Sequence, residues 1–498
     1  MPGSLATARQ TVHVPASPQL LRRRAASAAA LVLMLAGCTT GSAELPSPTP
    51  TPLAQTTTPT PSPPSQTPSP TPTPPRHTMP LALVVHPTRP VSDVPVEAAR
   101  RVVTERPDRW SAIGQSGGRM RLMSFAGRKP AEVLRAVRAS TDVLGVLPAV
   151  AVDPTVRVLT VGGRHPLRDP QAYPVEVPWP DPVPEVTTMT VVGDMMLARR
   201  VGRAISDDPT APFRPLAARL SRAEITVGNL ESSLSTAGAP TQGTDSFGAH
   251  PRVLRGLKSA GFDLVSLANN HLGDYGNRAI GETFDRLRAA DLAYVGAGRN
   301  LTEARRPVVV TRDGIRIGFL GTESIGETPS ATSSRAGTNR LNMPPRTGPL
   351  DRAALNRIAG DIRRLKRTVD VVVVIPHWGT QYTHRPEQSQ RTASRAFAEA
   401  GADLVIGGHP HWVQGWERMG STTVVHSLGN FIFDMDFSTK TREGIFVEVV
   451  LWGDQVRAVE PVPYVIDGAF TPRPARGARA AGILADVWST SRGPYAVP

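Results

Sequence analysis

Short apolar runs and longer amphipathic stretches take turns along the second half of this chain. The runs Thr188–Val192, Ala223–Val227, Leu264–Leu267, Val369–Ile375 and Leu404–Ile406 are rich in Val, Ile and Leu and predict strands. Between them Pro251–Ala260, Arg278–Ala290, Asp351–Lys366 and Pro386–Ala400 predict helices. Val308–Leu320 reads as a hairpin turning at Asp313-Gly314, and Gly444–Trp452 with Val456–Val465 as a second around Gly453-Asp454. Thr422–Phe433 reads as one further strand. Strand pairs that follow strand–helix units predict two sheets packed face to face with helices outside, over residues 185–470.

Upstream, Leu81–Val85, Val143–Ala149 and Val156–Val161 predict strands. Pro95–Glu105 and Pro130–Ala139 predict helices, the first with Asp93 placed to cap it. This alternation implies a small α/β accessory domain over 81–183, closed by the Pro-rich run Val177–Pro184. Residues 471–498 are rich in Ala, Arg, Gly and Pro and predict a flexible tail.

Each polar motif falls where a predicted strand stops. The motifs are Gly193-Asp194, Gly228-Asn229-Leu230-Glu231, Ala268-Asn269-Asn270-His271, Pro376-His377-Trp378-Gly379 and Gly407-Gly408-His409-Pro410-His411. Open α/β sheets bind ligands beyond the carboxyl ends of their strands. Singly, each residue has an ordinary alternative: Asp194 as a helix cap, Glu231 as surface charge, Asn269 and Asn270 as turn residues, His377 as a core histidine. Together, carboxylate and amide oxygens mixed with imidazoles suit one or two divalent ions of the Mn, Zn or Fe type.

Length and composition add an address. At 498 residues two or three domains are expected, and the single cysteine excludes a disulfide framework or a multi-thiolate metal site. Arg22-Arg23-Arg24, the apolar run Ala25–Ala36 and Gly37-Cys38 read as an export signal over 1–38. Leu35-Ala36-Gly37-Cys38 resembles the bacterial lipobox, which implies lipidation of Cys38 and anchorage to the outer face of the cell membrane. The arginine cluster also leaves twin-arginine export open. Residues 39–80 are Pro, Thr and Ser and predict a disordered, extended stalk. Net charge is +14, of which residues 1–37 supply four arginines, leaving +10 and an affinity for polyanions. No basic helix interleaved with aromatics is present, which argues against nucleic acid.

The ordered set Gly193-Asp194, Gly228–Glu231, Asn269-Asn270-His271, His377-Trp378-Gly379, Gly407–His411 and Ser427-Leu428-Gly429-Asn430-Phe431 resembles the signature of the CapA family of poly-γ-glutamate capsule biosynthesis proteins, relatives of calcineurin-like metallophosphoesterases. The resemblance implies a four-layer α/β/β/α sandwich. It implies Asp194, Glu231, Asn270, His377, His409 and His411 as metal ligands. His271 follows as general acid or oxyanion stabiliser, with Asn269 grouped beside it, and Gln381, Tyr382 and Asn430 complete the set. Two departures stand out: Met196 where phosphoesterases place a histidine, and Gln381-Tyr382 where a Glu-Tyr pair is usual. The first implies a weak or missing metal position, and the second removes a charge near the site.

The implied function is metal-dependent hydrolysis or transfer on an anionic extracellular polymer, with capsule-machine membrane proteins as partners. The alternatives are a cell-surface phosphoesterase and a non-enzymatic polymer-binding scaffold. The segment 81–183, through Trp110–Gly114, Leu144–Pro148 and Ala172–Val175, is similar to part of one lobe of phosphate-type periplasmic solute-binding proteins, without a retained ligand site.

Overall fold

The computed structural model describes residues 77–91 and 93–498. The export signal, Cys38 and most of the stalk lie outside the described residues. The mixed α/β expectation holds. The N-terminal part is a five-stranded sheet centred on His77–Val85, which pairs antiparallel with Val143–Pro148, Arg157–Val158 and Glu176–Trp179. His77–Pro80, assigned to the stalk by composition, is therefore the start of a strand, because its backbone pairs with Glu176–Trp179. Period-two alternation splits this strand between two cores. Leu81, Leu83 and Val85 face the helix Val96–Thr104, and Ala82 and Val84 face the helix Pro130–Arg138. Asp93 does not cap the first helix; its carboxylate accepts from the Gly163 N–H at 2.9 Å.

Two larger sheets follow. An eight-stranded sheet runs Ala293–Val295, Leu264–Ser266, Ile225–Leu230, Val186–Met195, Glu443–Trp452, Gln455–Ile466, Pro472–Pro474, with Asn430–Ile432 added beside Val186–Met195. A six-stranded sheet runs Val308–Arg312, Ile315–Glu323, Val371–His377, Leu404–Ile406, Thr422–Val425, Trp416–Met419. The inner faces share one core: Met189, Val191 and Ile225 from the first meet Val371, Val373 and Ile375 from the second. Val372 and Val374 point the other way, onto the helices Arg352–Lys366 and Gln388–Glu399. The outer face of the eight-stranded sheet is covered by Val253–Ser259 and Gly276–Ala289. Strands buried on both faces need apolar residues at every position, which is why Val371–Ile375 reads as an unbroken run.

Three further expectations change. Thr422–Phe433 is two strands in different sheets: Thr422–Val425 pairs with Leu404–Ile406, and Asn430–Ile432 with the end of Val186–Met195. Gly429, at φ 75°, makes the turn between them. Residues 471–498 are not a loose tail. Gly477–Ser489 is a helix whose Ile483, Val487 and Trp488 enter the inter-sheet core. The 81–183 segment does not close its core alone, since Val450, Trp452 and Ala458 of the large sheet complete it. There the Trp452 indole N–H donates to the Leu167 carbonyl at 2.8 Å. No helix among the described residues is long and apolar enough to cross a membrane.

Candidate metal centre

The site residues converge where strands of both sheets end. Asp194 lies at the end of Val186–Met195 and Glu231 just past Ile225–Leu230, both in the eight-stranded sheet. His377 closes Val371–His377, and His409 and His411 follow Leu404–Ile406, both in the six-stranded sheet. Glycine permits the approach: a Cβ on Gly408 would meet Asp194 Oδ1 at 2.5 Å, and one on Gly193 would meet the Gly429 carbonyl oxygen at 1.9 Å. His409 and His411 take left-handed φ values of 95° and 57°, the backbone strain that concentrates at functional sites.

Asp194, Glu231 and His377 each bring one ligand-type atom to within 4.8 Å of the others, and all three are buried. The His409 ring stands 4.9 Å from that of His377, centroid to centroid. Neither His409 ring nitrogen, nor Glu231 Oε1, has a hydrogen-bond partner among the described residues. Buried imidazoles and carboxylates are ordinarily satisfied. Oxygen and nitrogen atoms left open toward one another are the donor set a divalent cation takes, so these residues fit one. Asn270 joins from the side, its Oδ1 at 2.9 Å from His377 Nε2.

Asn229, part of a recognised motif yet absent from the expected site, lies at the centre of the cluster. Its amide nitrogen donates to Asp194 Oδ1 at 2.8 Å and Glu231 Oε2 at 3.2 Å, and is 3.3 Å from His377 Nδ1. The signal was the two-residue spacing from Glu231, which puts both on one side of an extended chain. Asn269, expected beside His271 in catalysis, has a different place. It donates to Asn229 Oδ1 at 3.0 Å and to the Leu230 carbonyl at 2.8 Å, and accepts from the His271 N–H at 3.2 Å. With its amide so occupied, it positions Asn229.

His271 is held by a residue that sequence reasoning missed. Its Nδ1 is 2.7 Å from Asp274 Oδ2, and its Nε2 lies 3.9 Å from Glu231 Oε1. Phe247 stacks on the ring at 3.7 Å. The signal was again spacing, an aspartate three residues after the histidine. His411 differs from His409 in having both nitrogens occupied, Nδ1 by Asn430 Oδ1 at 2.8 Å and Nε2 by Gln381 Nε2 at 3.3 Å. Tyr382 sits at the mouth, partly exposed, with its ring 6.0 Å from that of His411. Met196 packs in the hydrophobic core, its sulfur accepting from the Ala198 N–H at 3.2 Å. It offers no nitrogen at the position where a histidine is usual.

The electrostatics agree with an open donor set. Burial pushes the Asp194 carboxyl up to about 6, against hydrogen bonds that favour the anion. Burial, then the neighbouring carboxylates of Asp194, Asp274 and Asp245, pushes Glu231 well above the usual range. Burial holds His377 and His409 far below an ordinary imidazole, and His411 down to about 3, so all three stand neutral, and of the three only His409 has both ring nitrogens without a hydrogen-bond partner among the described residues.

A family model described as "Bacterial capsule synthesis protein PGA_cap" matches residues 188–435. The chain is similar to a "Capsule biosynthesis protein CapA" of Bacillus anthracis, 31% identical over 300 residues that cover 59% of this chain and 71% of that relative. It is similar also to a "PGA biosynthesis protein CapA" of Bacillus subtilis (strain 168), 28% identical over 296 residues, covering 59% and 74%. A hypothetical protein of solved structure from Thermus thermophilus aligns with a TM-score of 0.36 and 17% identity, over 56% of this chain and 99% of that one.

Proposed function

Because the chain belongs to the bacterial capsule synthesis protein family PGA_cap, we propose that it is a metal-dependent hydrolase or transferase. It acts at an amide bond of an anionic capsule polymer of the poly-γ-glutamate type. The observation that carries this reading is the buried cluster of Asp194, Glu231 and His377 beside the unpartnered imidazole of His409. We read the two sheets and their outer helices as a metallophosphoesterase-like four-layer sandwich around that cluster.

Asp194, Glu231, His377 and His409 would hold the cation, with Asn270 completing the set from beside His377. When bound there, a divalent cation supplies Lewis acidity toward the bond under attack. His271 has its Nδ1 fixed by Asp274, so Nε2 is the nitrogen that faces Glu231 and the cluster. In its protonated form it donates from that nitrogen to the departing amine. Phe247 covers one face of the ring and keeps water from it. The charge of +10 beyond residue 37 favours an anionic polymer. A lipid on Cys38, joined to this domain through the Pro-, Thr- and Ser-rich residues 39–76, would hold it at the outer face of the membrane, next to capsule-machine membrane proteins.

The test uses the full chain purified without chelators. Elemental analysis is expected to find Mn, Zn or Fe close to stoichiometric, and less than a tenth of it in His409→Ala. Incubation with poly-γ-glutamate is expected to shorten or join chains in a metal-dependent way, while an aryl phosphate is left intact. Turnover of the aryl phosphate with the polymer untouched selects the phosphoesterase instead. Polymer binding without any change in chain length selects the scaffold.

A further inference from the structure

The seam between the N-terminal five-stranded unit and the large sheets encloses a cavity of about 330 Å³. None of the strand-end residues of the metal centre lines it. Its walls come from segments distant in sequence: Val156–Thr160, Val459–Val462 of a large-sheet strand, and Leu484 and Trp488 of the C-terminal helix. The volume is in the range that takes small molecules, roughly 300–1,000 Å³.

Most of its charged residues are matched. Arg168 bridges Glu448 and Glu460, Arg219 forks onto Glu448 at 2.5 and 3.0 Å, and His165 Nε2 lies 3.1 Å from Glu460. Asp93 stands exposed at the mouth, committed to the Gly163 N–H. Arg157 is different. One of its terminal nitrogens donates to the Arg89 carbonyl at 3.2 Å, and no other hydrogen bond of this guanidinium is present among the described residues. Arg157 is half-buried; burial depresses its pKa and the Glu460 carboxylate offsets that only in part. Trp416, which also lines the cavity, has a buried indole N–H with no partner among the described residues. The remaining wall, with Val156, Val158, Leu484 and Trp488, is apolar.

We propose that this cavity binds a small organic carboxylate, its anionic group taken by Arg157 and its hydrocarbon body laid against Val158, Leu484 and Trp488. A planar carboxylate matches the guanidinium fork in geometry and charge. Glu448 and Glu460 also line the cavity, and their negative charge disfavours a dianion such as phosphate more than a monoanion. A ligand here touches the N-terminal unit, the large sheet and the C-terminal helix together, so binding stabilises the folded chain by mass action.

Phenylacetate and hexanoate, with neutral phenylacetamide as control, are titrated into the full chain by calorimetry and ligand-observed NMR. At least one carboxylate is expected to saturate and raise the unfolding midpoint, with phenylacetamide at least tenfold weaker. Arg157→Gln is expected to weaken the carboxylate at least tenfold, Leu484→Trp to block it by filling the cavity, and His409→Ala to leave it unchanged. Should Arg157→Gln fail to fold, Leu484→Trp decides alone. The proposal is overturned if neither carboxylate saturates, if phenylacetamide binds equally well, if the folded Arg157→Gln or Leu484→Trp chain binds as the parent does, or if His409→Ala abolishes binding.

Discussion

Glu460 at the seam lies against His165 and Arg168; Glu231 at the strand ends lies among Asp194, His377 and His409. Both are glutamates enclosed by protein beside histidine, and their electrostatics are opposite. For Glu460, burial would raise the pKa, but His165 and Arg168 bring it down to about 2. Glu417, with His426 and Arg391, is likewise held at about 2 against burial. Glu231 has burial and three nearby carboxylates acting on it and only the weaker opposing influence of Arg199, and it rises far above the usual range. The seam carries its own counter-charge, whereas the centre carries only donors. A buried acid complete with a cation is structure; a buried acid beside an unpartnered imidazole is a donor set that fits a divalent cation.

The contrast can be broken by a matched pair of substitutions. Glu460→Gln takes the carboxylate from His165, leaves Arg168 with Glu448 alone, and is expected to cost about 3 kcal/mol in denaturant unfolding. Glu231→Gln in the metal-free chain is expected to stay within about 1 kcal/mol of the parent, because its carboxylate is already disfavoured. Equal losses at the two positions would erase the distinction.

Metal sharpens the comparison. At a hundredfold excess over its Kd, a divalent cation is expected to stabilise the parent by about 2.7 kcal/mol. Glu231→Gln is expected to lose most of that gain in thermal melts with and without Mn or Zn, and Glu460→Gln to keep it.

Acid titration separates the regions by sign. The folded pKa values of Glu460 and Glu417 are depressed from 4.5 to about 2, so their stabilisation is complete above about pH 4.5 and is lost as pH falls through 2. Asp194 moves from 3.8 up to about 6, so the folded metal-free chain holds the extra proton. Its contribution therefore falls as pH rises from about 4 to about 6, and saturating metal is expected to remove that decline. Unfolding midpoints across pH 2–7, with and without metal, measure both. A modest effect belongs to the seam's neutral contact: Trp452→Phe, which removes the donor to the Leu167 carbonyl, should cost about 1–2 kcal/mol in denaturant unfolding.

Local signals were readable wherever chemistry is local. Asp351 starts its helix with a side-chain bond to the Ala354 N–H at 2.9 Å, and Asp313-Gly314 turns its hairpin with φ of 47° and 81°. The strand-end motifs announced the donor types of the centre. Pairing partners were not readable, because an apolar run looks the same in either sheet; Thr422–Phe433 was divided by a glycine whose conformation only the fold determines. The C-terminal helix was hidden by its Ala-rich composition, since Ile483, Val487 and Trp488 have meaning only against the core they enter. Asn229 and Asp274 were missed for a related reason: each acts on another side chain, and that relation needs a register.

The chain passes from the six-stranded to the eight-stranded sheet through Ser427–Gly429 and brings Asn430 into register with Asp194. At that crossing the Gly429 carbonyl accepts from the Asp194 N–H at 3.1 Å and sits where any side chain on Gly193 would fall. In mechanical terms it is a rivet through two stacked plates, driven beside ligands that come from both. Sliding one plate over the other would change the bite of the centre, and the rivet blocks that motion at the height of Asp194. Surface loops around the mouth can therefore lengthen, shorten or exchange sequence while the spacing of the residues in the centre stays the same.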